Sequence, residues 1–514
     1  MRFRNPAIHV NVVFIVFIAG TAAFAGQEHH HGGGGEATSA GHLGQVHFPT
    51  SCAAGVQTKF EQGVALLHSF QYEAADQAFK RVSTDDPQCA MAYWGQAMSL
   101  WHALWDRPDE ATLKTGHDDL EKASSLNAKT AHEREYIAAA QAFFQDAPNL
   151  DYTARATAYS KAMGQLYRRY PDDGEAAAFY SLSLIALPAH GDADLANRKQ
   201  AIAILNKLFA AEPDHPGAAH YLIHACDTPE LAPQGLAAAR RYAKIAPDSA
   251  HALHMPSHIF TRLGLWQESI ESNLASAAAA EQATKMHLGD AHYQLHALDF
   301  LGYAYLQSGQ QAKAEQVIEE VKQVPGATAE EIEDTQAAWR ARYALETHDW
   351  KMAAGLQPPS GELYAQDTTW WVRAIGAARS GDVTGARAAV EKLATVTAQS
   401  RAQSKKEGYE VKNEPSVHQL QAEAWLSYAE GQKADALKTL RAAADREDRE
   451  GVDNLVMPAR EMLGDMLMES NQPEAALVAY QIALKESPKR FDALQGVQLA
   501  ERANVKGQSA AGSR

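Results

Sequence analysis

Two amphipathic helical segments followed by a proline recur along the chain, and this repeat constrains the fold more than any other feature. In the first clear repeat, the small residues Gly63 and Ala75 let two antiparallel helices approach closely, and Tyr72 and Phe79 fill the space between them. Pro87 then stops the second helix. Later repeats end in the same way, at Pro171, Pro213, Pro247 and Pro488. Because alanine is abundant and β-branched residues are sparse, the sequence predicts an all-α protein.

The order of these small, aromatic and proline residues resembles the tetratricopeptide repeat (TPR) over most of residues 50–505. The resemblance implies a right-handed superhelical solenoid of TPR-like helical hairpins. Three phrases also resemble a group of secreted bacterial TPR proteins, and this likeness implies fold and export but no reaction; they are residues 63–70, 89–95 and 251–260. A loss of apolar periodicity near residue 350 suggests two parts, an N-terminal solenoid (48–349) and a C-terminal solenoid (350–514).

The N-terminus has the pattern of a secretory signal peptide, residues 1–25. Arg2 and Arg4 precede an apolar run that is too short to span a bilayer, and a small-residue motif predicts cleavage after Ala25. Residues 26–47, which include a His triplet and four glycines, are expected to form a flexible linker. The mature protein is therefore expected to be periplasmic or secreted, with no membrane span.

Charge and cysteine content narrow the partners and the chemistry. The formal net charge of −16 argues against nucleic acid as a partner, because nucleic-acid-binding proteins are normally basic. Cys52 precedes the first predicted helix and Cys89 opens a later one, 37 residues on. If these helices are neighbours in the stack, the two cysteines form a disulfide in an oxidising compartment; otherwise they remain two buried thiols. Cys226 fits a small core residue better than a metal ligand.

Histidines recur at helical spacing in three consecutive repeats. The first and third segments share the motif H-Y-x-[IL]-H-A-x-D, and the three sets are His220, His224 and Asp227; His251, His254 and His258; and His292, His296 and Asp299. Residues spaced i, i+4 and i+7 share one stripe of a helix. Two imidazoles four residues apart on a helix are a common way to hold one metal ion. Pro256 leaves the middle set open, since it either kinks one helix or begins another.

Counting from the repeat prolines, the TPR resemblance implies that these side chains line the concave face of the solenoid. We therefore predict a metal site for Zn, Cu or Fe, with the candidate ligands His220, His224, Asp227, His254, His258, His292, His296 and Asp299, and with His68, His102 and His251 as weaker candidates. The same count places Glu461 and Asp465 on this face.

Two functions remain open. In the first, the metal ion is structural or activates water or oxygen for hydrolysis or oxidation. In the second, the TPR scaffold binds a protein or peptide partner in its groove, without metal or catalysis. The chain has no Gly-rich phosphate loop, no G-x-S-x-G elbow and no HExxH motif, so nucleotide-binding and serine-hydrolase chemistry are not indicated.

Overall fold

The computed structural model describes residues 42–104, 107–146, 149–188, 191–286, 291–409, 411–452 and 455–512, with side chains described up to residue 506. Within these ranges the structure is helical and contains no strand, which confirms the all-α prediction. The predicted signal peptide (1–25) and residues 26–41 of the predicted linker lie outside the described residues.

The described helices fall into two compact units, an N-terminal unit (42–226 and 237–255) and a C-terminal unit (227–236 and 256–512). The first half of the chain forms α1 (Gln57–His68), α2 (Tyr72–Asp85), α3 (Ala90–Met98), α4 (Glu110–Ser125), α5 (Ala131–Phe144), α6 (Tyr152–Arg169), α7 (Gly174–Ile185), α8 (Asp192–Ala211), α9 (Pro216–Cys226), α10 (Ala232–Ile245) and α11 (Ala250–His254). The second half forms α12 (Pro256–Arg262), α13 (Trp266–Lys285), α14 (Ala291–Gln307), α15 (Gln311–Glu320), α16 (Ala329–Glu346), α17 (Trp350–Gly355), α18 (Leu363–Arg379), α19 (Val383–Lys406), α20 (Val417–Ala429), α21 (Lys433–Glu450), α22 (Ala459–Glu469), α23 (Pro473–Glu486) and α24 (Phe491–Gly512). Short 3-10 turns occupy Ala54–Val56 and Val321–Gln323.

Glycines facing aromatic rings hold the helices of each unit close together. In the N-terminal unit the buried Phe79 ring lies against Gly63 and Gly95, where an added Cβ would come within 2.7 and 2.4 Å of ring carbons. In the C-terminal unit, Tyr480 packs against Gly464 and Gly496 in the same way, at 2.5 Å from each. The close helical pairing predicted for Gly63 is thereby confirmed, and each unit is built as a stack of TPR-like helical hairpins.

Seven described hairpin turns share one backbone device. Each places a single residue in the left-handed region, and the next residue donates its N–H to the carbonyl five residues earlier, which is the Schellman pattern of a helix C-terminus. The left-handed residues are Phe70, Gly264, Gly309, His348, Gly381, Gly431 and Asn471. Glycine and asparagine tolerate this conformation, whereas Phe70 (φ 55°) and His348 (φ 54°) carry side chains that disfavour it.

The segment that precedes α1 is fixed to the N-terminal unit. Phe48 is buried against Phe60 and Trp94, with ring centroids 5.4 and 5.5 Å away. Cys52 and Cys89 are joined by a disulfide that ties this segment to the start of α3.

The end of the predicted linker is ordered. Within residues 42–47, Leu43 is buried and the N–H of Gln45 donates to the carbonyl of Asp214 at 2.9 Å. This part of the chain is therefore anchored to the N-terminal unit, unlike the flexible linker that we expected there.

Two predicted boundaries are located by the structure. Residue 350, where the sequence suggested a subdivision, lies inside the C-terminal unit, and Leu345 and Ala353 on either side of it belong to one hydrophobic core. Pro256 is the first residue of α12, and α11 ends at His254. The alternative in which Pro256 begins a helix is therefore correct, and the i, i+4 argument for His254 and His258 does not hold.

Candidate metal centre

Helix α9 supplies two of the histidines at the candidate site. Ten of its eleven residues are buried, and Pro216 starts the helix at a position where its missing N–H is not needed. His220 and His224 lie one turn apart on one face, as the i, i+4 spacing predicts. His220 is fully buried, whereas His224 is only partly buried.

His251 in α11 completes a group of three imidazoles. Its Nε2 lies 3.0 Å from the Nε2 of His220, and the Nε2 of His224 lies 3.0 Å from the same atom. One nitrogen atom from each ring therefore faces a common point, and the three atoms lie within 4.8 Å of one another. We call these three residues, His220, His224 and His251, the three-histidine centre.

The backbone fixes the orientation and tautomer of His220. Its Nδ1 lies 2.6 Å from the carbonyl oxygen of His68, at the end of α1. A carbonyl oxygen only accepts, so Nδ1 carries the proton and donates it, and in the neutral ring Nε2 presents its lone pair to the other two histidines. A metal-bound histidine is commonly held by such a bond from its other nitrogen to a carbonyl group.

An aromatic wall covers one side of the three-histidine centre. Phe70 packs against His220, His224 and His251, with ring centroids 4.4, 5.5 and 5.9 Å away. Tyr242 stacks on His220 at 5.1 Å. These rings restrict the imidazole rotamers and exclude water from that side, while the partly buried His224 marks the more open side.

A buried carboxylate holds the ring of His68 behind the centre. The Nε2 of His68 lies 2.7 Å from Oε2 of Glu175, and the Nε2 of His215 lies 3.1 Å from Oε1. The hydroxyl of Tyr221 is 2.9 Å from Nδ1 of His68. The backbone N–H of Ala218 donates to Nδ1 of His215, so the Nε2 of His215 is the protonated nitrogen and donates to Glu175. Each carboxylate oxygen of Glu175 thus has one imidazole nitrogen as its hydrogen-bond partner.

The pKa values of this buried group follow from the same contacts. Burial alone would raise the pKa of Glu175, but the charges and hydrogen bonds of His68 and His215 outweigh it and lower that pKa to about 2. Burial lowers the pKa of His68 despite Glu175. Burial also opposes the charged form of His215, but Glu175 outweighs burial and raises the pKa of His215. The N–H of Ala218 donates to Nδ1 of His215, which requires that nitrogen to be unprotonated. Glu175 is therefore ionised at neutral pH.

The carboxylates predicted as ligands are used in ion pairs. In the C-terminal unit, Asp227 accepts from His258 Nδ1 at 2.8 Å and from Arg262 Nε at 2.9 Å. Burial opposes its charge, but Arg262 and His258 hold the pKa of Asp227 well below its usual range. Asp299 pairs with the buried guanidinium of Arg342 and raises the pKa of that group. Both aspartates therefore pair with basic side chains of the C-terminal unit.

Three further predicted ligands, His258, His292 and His296, belong to the C-terminal unit. His292 is exposed, and its ring stacks on that of His296 with centroids 6.0 Å apart. The rings of His258 and His296 are 6.2 Å apart, and His258 packs on Phe300 at 4.7 Å. His254, the last residue of α11, is buried.

Two of the weaker candidates do not join the three nitrogens with their rings. His102 stacks on Tyr72 with centroids 4.3 Å apart. His68 contributes its carbonyl oxygen to His220, while its ring binds Glu175. Cys226 is buried and lies outside the disulfide.

Glu175 and His215 were not anticipated from the sequence. Glu175 is the only charged residue in α7, whose twelve residues are otherwise small, apolar or uncharged, and such an isolated charge in a buried helix is a signal of a specific partner. The weak candidate His251 proved to be the third member of the centre.

No protein-family model matches this sequence, and no curated protein matches it. Solved structures with a similar arrangement include the TPR domain of P58(IPK), at 12% identity, covering 88% of this chain and 99% of that chain, with a TM-score of 0.23. Yeast Tom70 matches at 10% identity, covering 88% and 96%, with a TM-score of 0.33. The human IFIT1 dimer with m7Gppp-AAAA matches at 12% identity, covering 85% and 94%, with a TM-score of 0.35.

At such low TM-scores these likenesses carry no argument about function. The TPR-like repeat rests on the helical hairpins of the chain itself, and such a scaffold fits a protein-interaction role. None of the described helices combines the length and apolar character that crossing a bilayer requires.

Proposed function

We propose that this chain is an exported TPR-like protein that binds one transition-metal ion through His220, His224 and His251. The observation that carries the proposal is the convergence of three Nε2 atoms, two of them 3.0 Å from the third, with the tautomer of His220 set by a carbonyl group. Neutral imidazoles suit Zn, Cu and Fe. Three protein ligands leave room for water or a substrate at the metal.

The spacing of the nitrogens favours one geometry. Two nitrogens 3.0 Å apart, each bound at about 2.05 Å, subtend about 94° at the ion, whereas a tetrahedral site would separate them by about 3.3 Å. Angles near 90° suit tetragonal Cu²⁺ better than tetrahedral Zn²⁺. The position of Cu²⁺ in the Irving–Williams order points the same way.

Glu175 supports a cation at this place. The carboxylate is buried and ionised, and it meets the three-histidine centre through His68, whose carbonyl group accepts from His220. A divalent ion bound to three neutral imidazoles supplies positive charge beside this buried negative charge. The carboxylate also fixes the ring of His68 and so the end of α1 that presents the carbonyl group.

The test is metal binding to the full chain with His29, His30 and His31 replaced by alanine, because that triplet is a second possible metal ligand. After chelation and dialysis, we expect calorimetry to show one Cu²⁺ bound per chain, and Zn²⁺ to bind more weakly.

A pair of variants locates the site. His224→Ala is expected to weaken binding by at least about a hundredfold, or about 2.8 kcal/mol, with an unchanged helical circular dichroism spectrum. The matched control His117→Ala, on α4 of the same unit, should bind as the parent does. Equal binding by both variants, or no stoichiometric metal in the parent, would leave the TPR scaffold with a protein or peptide partner as the remaining function.

Export is a separate part of the proposal. The N-terminal sequence pattern supports it, as does the disulfide between Cys52 and Cys89, since stable disulfides are rare in reducing compartments. Mass spectrometry of the protein from a bacterial periplasm should give a chain that begins at Gly26. Retention of the intact N-terminus in the cytoplasm would contradict export.

A further inference from the structure

Three carboxylates converge in the C-terminal unit. Glu346 ends α16, Glu461 lies in the first turn of α22, and Asp492 lies in the first turn of α24. Each offers an oxygen within 4.8 Å of the oxygens offered by the other two. The side chains of Glu346 and Glu461 are 3% and 1% exposed, and that of Asp492 is 20% exposed. We call these three residues the acidic cluster.

One arginine faces the acidic cluster and orients two of its members. Arg490, which is fully buried, places Nε 2.6 Å from Oε2 of Glu461 and Nη2 2.9 Å from Oε1. The same Nη2 lies 2.7 Å from Oε2 of Glu346, which also accepts from Gln307 at 2.8 Å. A single guanidinium therefore faces three carboxylates, so negative charge remains in excess.

Other charged and polar groups do not remove this excess. Asp465 adds a further negative charge beside Glu461 and Asp492. The Nε2 of His348 lies 3.9 Å from a carboxylate oxygen of Asp492 and from one of Asp465, and that imidazole is 38% exposed. Tyr303 stays neutral, because burial raises the pKa of its hydroxyl group. That hydroxyl oxygen accepts a hydrogen bond from Arg490.

One carboxylate oxygen of the cluster is buried without a hydrogen bond. Oε1 of Glu346 has no partner among the residues that the structure describes, although Oε2 of the same group has two. A buried carboxylate oxygen that gives up water without gaining a donor is costly. This atom therefore indicates a ligand that binds oxygen and brings positive charge.

We propose that Glu346, Glu461 and Asp492 bind a Ca²⁺ ion. Calcium binds carboxylate oxygens at about 2.3–2.6 Å in flexible geometry, whereas Mg²⁺ requires a near-ideal octahedron and keeps several waters that a buried cluster accommodates poorly. One divalent ion together with Arg490 balances the three carboxylates. The ion joins the ends of α16, α22 and α24 and uses Oε1 of Glu346, while Arg490 positions Glu461 without binding the ion.

The test is Ca²⁺ binding to the chelator-stripped full chain at pH 7.5. We expect one Ca²⁺ site with a Kd on the order of 10⁻⁴ to 10⁻³ M, the weak end of the protein range, because Asp492 is partly exposed and Arg490 repels the ion. Added Ca²⁺ should slow hydrogen exchange in peptides from the start of α24. Proton uptake without Ca²⁺ binding, or tighter binding of Mg²⁺ or Mn²⁺ than of Ca²⁺, would overturn the proposal.

Asp492→Asn is the informative variant, because it leaves the bonds between Arg490 and its two glutamates in place. It should weaken Ca²⁺ binding at least about tenfold while the circular dichroism spectrum is kept. Glu474→Gln, an exposed first-turn residue of α23, is the matched control and should bind as the parent does. Equal Ca²⁺ affinity of the two variants would contradict a Ca²⁺ site at the acidic cluster. The His224→Ala chain should keep its Ca²⁺ site, which separates this inference from the three-histidine centre.

Discussion

Replacing Glu175 by glutamine measures how much the buried carboxylate contributes to the N-terminal unit. Its pKa of about 2 in the fold, against 4.5 for an ordinary glutamate, corresponds to about 3 kcal/mol of stability at neutral pH. Because the folded-state pKa is depressed, this contribution is complete well above pH 4.5 and is lost as the pH falls through about 2. For this one carboxyl group, the two pKa values leave about 2 kcal/mol of that stability at pH 3.5.

Glutamine retains the shape of the side chain but presents one amide donor where Glu175 accepts from both His68 and His215. One imidazole must then change its tautomer, as His68 is able to do by donating from Nδ1 to the hydroxyl oxygen of Tyr221. We therefore expect Glu175→Gln to fold and to be less stable by about 3 kcal/mol at pH 7, without a gross rearrangement.

The assay is urea denaturation of the full chain in EDTA, read by hydrogen-exchange mass spectrometry on peptides from α7 and α9, so that the N-terminal unit is followed by itself. The difference in free energy of unfolding between the parent and Glu175→Gln should fall from about 3 kcal/mol at pH 7 to about 2 at pH 3.5. The control Glu121→Gln changes a surface residue whose oxygen accepts from Gln141, and it should cost under about 0.5 kcal/mol. A difference below about 1 kcal/mol at pH 7, or one that does not change with pH, would refute the reasoning.

Two further perturbations probe the same unit. Gly217→Ala would place a methyl group 2.6 Å from Nδ1 of His68, so it should weaken metal binding, measured by calorimetry, about tenfold. The control Gly55→Ala, with no atom within 4 Å of its added Cβ, should leave binding unchanged. Equal binding by the two variants would show that the His68 ring moves aside without affecting the metal site. Replacing both Cys52 and Cys89 by serine opens a link across 37 residues and should lower the free energy of unfolding of this unit by about 2–4 kcal/mol in urea; an unchanged midpoint would contradict that estimate.

The sequence predicted the all-α hairpin architecture and part of the candidate site, for identifiable reasons. The positions of Gly63 and Phe79 report a local packing rule, and the i, i+4 spacing of His220 and His224 follows from helix geometry. These features depend on neighbours within one or two helices, so spacing alone reveals them.

The rest of the candidate site depends on contacts between distant segments. The bond from His220 to the His68 carbonyl group joins residues 152 apart, and Glu175 meets His68 across 107 residues. Spacing does not show such contacts. The same spacing named Asp227 and Asp299 as candidate ligands from helical position alone, and it did not show that they pair with Arg262 and Arg342.

The hairpin turns show how a redesign of this protein for greater stability could remove its proposed ion sites. A stability-guided algorithm would place glycine or asparagine at all seven left-handed positions, with a gain of about 1 kcal/mol at each change. Five of the seven already carry glycine or asparagine, so the two positions it would change are Phe70, which forms the wall of the three-histidine centre, and His348, which borders the acidic cluster. The redesigned chain would be more stable, but it would lack one side chain at each of the two proposed ion sites. A residue that disfavours the backbone conformation of its turn should therefore be checked for a role in a site before it is replaced.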